Sequence, residues 1–192
     1  MSTDFLVEIG TEELPPKALL TLSTAFRDEI LSQLNAAQLT FGEVQTFAAP
    51  RRLAVIIKAL DEQTPIKEVV AWGPPVKVAM DADGNPTRAA EAFAKKNGLS
   101  LDQLVNKVES DGKQDKLCHR ATEPGREAED LVGPMIESAL AALPIPKRMR
   151  WGARREEFVR PVHWVVMLLG DHVVDAQVMG LTAGNTSRGH RF

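Results

Sequence analysis

Through residues 17–39, apolar side chains recur at every third or fourth position: Leu19, Leu22, Phe26, Ile30, Leu34 and Ala37. That period places them on one face of an amphipathic helix, and the face must be buried against a partner layer. Pro15 and Pro16 introduce the helix, since proline is tolerated in a first turn. Segments of a different rhythm flank it. Residues 4–9 (DFLVEI) alternate apolar and polar side chains and read as a strand stopped by Gly10. Residues 43–48 and 53–60 (LAVIIKAL) read as two more strands, joined through Pro50-Arg51-Arg52.

The rest of the chain continues the mixture. Trp72-Gly73-Pro74-Pro75 reads as a breaker, residues 76–80 as a short strand, and Asp81 to Pro86 as a turn cluster. Thr87 is placed to cap a helix reaching Lys96, and Ser100 with Gln103 has the spacing of a capping box. Asp111-Gly112 marks a hairpin between 106–110 and 116–122. Residues 127–143 are helical in composition, but Gly133-Pro134 is expected to kink or split them. Strands at 162–169 and 173–179 are joined by Gly170-Asp171. The class is therefore α+β: a mixed sheet with an N-terminal amphipathic helix, a helical and hairpin insertion, and a C-terminal β-hairpin. Residues 84–143 are a possible subdomain between sheet-forming segments 1–80 and 144–192.

The 192 residues carry a formal net charge of −3, unevenly distributed. From Lys147 onward there are eight basic and four acidic residues, a net of +4; the preceding chain holds 15 and 22, a net of −7. The basic quarter opens with KRMRWGARREEFVRPVHW, residues 147–164. Arginine pairs with phosphate and stacks on bases, so this segment is a candidate nucleic-acid contact. Acids of a protein partner, or of this same fold, are the other possible counterparts. Within it Trp151, beside Gly152, reads as exposed, and Trp164, in an apolar run, as core.

Signatures of catalysis are missing. The sequence contains no phosphate-cradling glycine loop and no nucleophile elbow. His119, His163, His172 and His190 lack metal-ligand spacing, and Cys118 has no partner cluster. Glu12-Glu13 could serve as an acid/base pair or a magnesium site, although acids ahead of a helix also complement its dipole. No apolar run approaches the roughly 18 residues of a membrane span, no secretory signal is present, and a single cysteine suits a reducing cytoplasm.

Five blocks together carry a resemblance: FLVEIGTEELPPK (5–17), FAAPRRLAV (47–55), LPIPKRMRWG (143–152), FVRPVHW (158–164) and RGHRF (188–192). In this order they resemble the start of the β subunit of the bacterial heterotetrameric glycyl-tRNA synthetase. The resemblance implies the N-terminal part of a longer subunit, and the tail's lack of a closing element is read the same way. It implies that ATP and Mg²⁺ are used at an α-subunit active site, with no catalytic residue and no cofactor in this chain. The implied partners are the α subunit, tRNA(Gly) and the remaining β domains. The matching blocks make Lys147, Arg150, Trp151, Arg160, Arg188 and Arg191, with Arg51 and Arg52, the candidate tRNA contacts. Arg154 and Arg155 fall in a spacer between blocks.

Overall fold

The helix period at the N-terminus and the strand periods around it resolve into a sheet with helices on one face. In the computed structural model, which describes residues 1–153 and 155–189, the chain begins β1 (Ser2–Thr11), α1 (Leu19–Ala36), β2 (Val44–Ala49) and β3 (Arg52–Asp61). It continues through β4 (Lys67–Pro75), α2 (Val76–Ala79), α3 (Arg88–Lys96), α4 (Leu101–Leu104), β5 (Val108–Ser110) and β6 (Asp115–Glu123). It then runs through α5 (Ala128–Ala142), β7 (Met149–Arg150), β8 (Glu157–Phe158), β9 (Val162–Leu169), β10 (His172–Val173), β11 (Gln177–Val178) and β12 (Leu181–Thr182). Two compact units result: one from Met1–Pro65 together with the chain from Gly125 onward, the other from Ile66–Pro124.

The first unit is built on an antiparallel sheet in the order β10-β9-β1-β3-β2. Phe5, Val7 and Ile9 of β1, Leu53, Val55 and Ile57 of β3, and Val165 and Met167 of β9 share one buried face. Against it lie Leu22, Phe26, Ile30 and Leu34 of α1, four of the six positions on the expected stripe, with Leu131, Ile136 and Leu140 of α5. Burying each such side chain contributes about 1.5–3 kcal/mol. The helix begins at Leu19, later than the proline rule implied, so Glu12 and Glu13 lie outside its first turn. It ends in a Schellman motif: Gln38 adopts φ 61°, its N–H donates to Asn35 O, and the Leu39 N–H donates to Leu34 O.

Several local readings are corrected. Gly10 does not stop β1; the strand continues through it to Thr11. Gly133-Pro134 does not split α5, which is one helix with Pro134 inside it. The expected strand at 173–179 is broken into β10 and β11, and Ala176 between them packs against Gly133, where an added Cβ would lie 2.7 Å from the Ala176 Cβ. β11 and β12 then pair across Met179 and Gly180, both at positive φ (53° and 70°), the signature of a type I′ turn. Where the chain leaves and returns to this unit its two segments pair, Thr64 N–H to Arg126 O (2.9 Å) and Ala128 N–H to Glu62 O (2.7 Å).

The second unit is a three-stranded antiparallel sheet, β4-β6-β5, packed by its helices around Ala79, Ala90, Phe93, Ala94, Leu104 and Leu117. Trp72-Gly73-Pro74-Pro75 lies inside β4 and does not interrupt it. β4 is an edge strand, where prolines remove no ladder bond that matters, and the register shifts between Trp72 and Pro75. Residues 76–79 form a short helix where a strand was expected. Thr87 precedes α3, but its hydroxyl donates to Val78 O (2.7 Å) and does not cap the helix. The Asp111-Gly112 hairpin forms as expected, and the Ser100 N–H donates to Gln103 Oε1 (3.1 Å).

Candidate functional site

A cleft of about 370 Å³ lies at one end of the first unit's sheet. Four chain segments line it, at 11–13, 49–52, 163–164 and 188–189, and backbone hydrogen bonds stitch the first three together. Thr11 N–H donates to Arg51 O (2.8 Å), Leu14 N–H to Pro50 O (2.6 Å) and Glu12 N–H to Pro161 O (2.9 Å). The cleft is thus largely preformed. Thr11, Glu12, Glu13, Ala49, Pro50, Arg51, Arg52, His163, Trp164, Arg188 and Gly189 line it.

Trp164 is its central wall. The residue pairs with Gly10 across the β1–β9 ladder, and the indole occupies the space that a Gly10 side chain would need. Its Nε1–H donates to Glu8 Oε1 (2.7 Å), which fixes the ring, and the guanidinium carbons of Arg52 and Arg188 lie 6.0 and 5.8 Å from its centroid. Glu8 also accepts from Ser187 Oγ and pairs with Arg52 (3.2 Å), and Arg52 donates to the Arg188 carbonyl. Arg52 is therefore a bracket that ties residues 187–188 to the sheet. Glu12 Oε1 contacts His163 Nε2 at 2.6 Å. A second cavity of about 210 Å³ also meets His163, Trp164 and Arg188.

The candidates separate by place. Arg51, Arg52 and Arg188 meet in the cleft. Arg160 does not line it, but its Nε–H donates to the carbonyl of Glu13, which does (3.0 Å). Lys147 is exposed and lies apart from the cleft lining. Arg150 stands on the β7–β8 ladder, where it pairs with Glu157 opposite. Its neighbour Arg148 donates to Ala141 O (2.6 Å) and Leu143 O (3.2 Å), satisfying carbonyls at the end of α5. Arg191 and His190 lie outside the described residues, as does Arg154.

The two tryptophans, one expected exposed and one in the core, are both half-buried. Trp151 packs against the main core, while Trp164, expected in the core, lines the cleft. The missed signal was Gly10: a glycine within an otherwise good strand marks a close approach by another group. Among the described residues no group of three or more His, Cys, Asp or Glu is arranged to hold a metal ion, and no helix is long and apolar enough to cross a membrane. His172 pairs with Glu129 (2.7 Å), away from the cleft.

A family model described as glycyl-tRNA synthetase beta subunit matches residues 5–192. The chain belongs to this family. It is 53% identical to the glycine–tRNA ligase beta subunit of Hahella chejuensis and 54% identical to that of Marinobacter nauticus, in each case over 98% of this chain. The corresponding protein of Haemophilus influenzae strain PittGG is 49% identical over the same share. The chain spans 27%, about a quarter, of the length of these relatives. All eleven residues lining the cleft fall in four of the five blocks by which the sequence resembles the beta-subunit family; the fifth, at 143–152, contributes none.

Proposed function

We propose that this chain is the N-terminal, non-catalytic tRNA-binding and assembly portion of a glycyl-tRNA synthetase β subunit. In that role it supports the ATP-dependent attachment of glycine to tRNA(Gly) at an active site carried by the α subunit, in a heterotetramer. The carrying observation is the cleft itself, in which separate family blocks deliver Arg51, Arg52 and Arg188, the last two with their guanidinium groups over the Trp164 indole. Guanidinium groups grouped about an aromatic plane suit an unpaired stretch of RNA.

Binding of a tRNA(Gly) transcript to the 192-residue chain, titrated at several salt concentrations, tests this. Affinity is expected to fall as salt rises, and Arg51→Ala and Arg188→Ala each to lower the salt slope by about 1. Arg150→Ala, which loses a pair with Glu157, is expected to change the slope less. No binding to either tRNA or the α subunit would sink the reading.

The alternative is a docking domain for the α subunit or for later β domains. The uncovered face of the β4-β6-β5 sheet favours it: Trp72 is 48% exposed, beside exposed Val70. Trp72→Ser that abolishes capture of the α subunit, with tRNA affinity intact, would favour docking.

A further inference from the structure

We propose that the Trp164 cleft binds a single 5′-phosphorylated ribonucleotide whose ribose hydroxyls are free. This deepens, and rests on, the reading of the same cleft as an RNA contact.

The lining mixes three chemistries that such a ligand needs together. A cleft that only tracked a phosphate backbone would be uniformly cationic, because carboxylates repel phosphate. Here Glu13, and Glu12 already in contact with His163, share the wall with Arg51 and Arg188. A carboxylate only accepts hydrogen bonds, and the hydroxyls of a ribose are donors that match it. Neither Arg51 nor Arg188 has a carboxylate partner among the described residues; Arg188 stands over the Trp164 ring, and the Arg51 guanidinium is available to a phosphate.

The base has a place as well. Trp164, held through its Nε1–H by Glu8, and the Arg188 guanidinium above it form a layer on which a base stacks. A cavity of about 370 Å³ lies within the range of small-ligand sites. Backbone bonds join three of the four lining segments, and Arg52 and Glu8 hold the fourth, so the ligand need not organise them.

The test titrates the 192-residue chain with AMP while NMR follows the Trp164 indole N–H, assigned with Trp164→Phe. AMP is expected to shift that signal and to bind at least tenfold more tightly than 2′,3′-dideoxy-AMP or inorganic phosphate. Glu13→Ala, which removes a side chain with no hydrogen bond among the described residues, should reduce the preference for AMP over its dideoxy analogue while both still bind. Arg51→Ala and Arg188→Ala should each weaken both nucleotides about tenfold. A pentaribonucleotide with a free 3′-hydroxyl separates the sources. If it displaces AMP, the ligand is an RNA end; if it does not, the ligand is a free nucleotide, and the site stands in either case. An unmoved Trp164 signal, or equal affinity for AMP and the dideoxy analogue, overturns the inference. Intact tRNA binding in that event leaves the RNA-contact reading in place.

Discussion

Gly10 and Trp164 are cross-strand partners in which one residue's missing side chain is the other's seat: a Cβ built on Gly10 would lie 1.9 Å from Trp164 Cε2. No rotation of a flexible terminus relieves this, because the obstructing atoms belong to a rigid ring. Gly10→Ala must therefore displace the indole, and with it the bond to Glu8 and the contacts of Arg52 and Arg188. We expect a loss of about 1–3 kcal/mol in urea unfolding. Combining Gly10→Ala with Trp164→Ala should recover part of that loss, and a double-mutant cycle would measure the coupling. Additive effects would show that the two residues do not share this space.

Arg148 illustrates why a basic run cannot be read as one surface. Its guanidinium donates to Ala141 O and Leu143 O at the end of α5, a structural task amid residues that look like RNA contacts. Arg148→Ala leaves those carbonyls without their charged donor and should cost about 1–3 kcal/mol. Chemical denaturation measures the loss. Any weakening of RNA binding in this variant should follow the unfolded fraction and vanish when stability is restored.

These two cases mark what the sequence could and could not convey. The α1 stripe and the Asp111-Gly112 hairpin were legible because their signals are local, a period or a turn pair. Gly10 and Trp72-Gly73-Pro74-Pro75 misled because a glycine or proline in a strand depends on what lies beside it. At Gly10 that neighbour is an indole; at Pro74 and Pro75 it is an open sheet edge. The cleft depended on longer range still. Glu8 meets Arg52 and Ser187, and Glu13 meets Arg160, across separations of up to 179 residues that no periodicity encodes.

Gln38 holds φ 61° at the end of α1, a left-handed conformation that a residue with a Cβ adopts at a cost of about 1–2 kcal/mol. The Schellman bonds on either side keep it there. Gln38→Gly should retain both bonds and remove the strain, partly offset by the greater freedom of glycine in the unfolded chain. The expected net gain is about 0.5–1 kcal/mol, read as a higher urea midpoint at unchanged slope. A loss of stability would mean that the Gln38 side chain makes a contribution its exposure does not reveal.

Asp111 gives the second unit an acid-sensitive hairpin. The Lys116 ammonium, 2.6 Å away, and then the N–H groups of Gln114 and Lys113 hold its carboxyl down from 3.8 to about 2. A carboxyl depressed by folding stabilises the fold above its unfolded value, and that contribution is lost as pH falls through the folded one. The hairpin's share is therefore complete above about pH 4 and fades toward pH 2. A carboxyl-carbon NMR titration should find Asp111 still ionised at pH 3. Asp111→Asn should flatten the pH dependence of unfolding between pH 4 and 2 without altering it near neutrality. A midpoint for Asp111 near 3.8 would show that neither Lys116 nor the turn amides hold the charge.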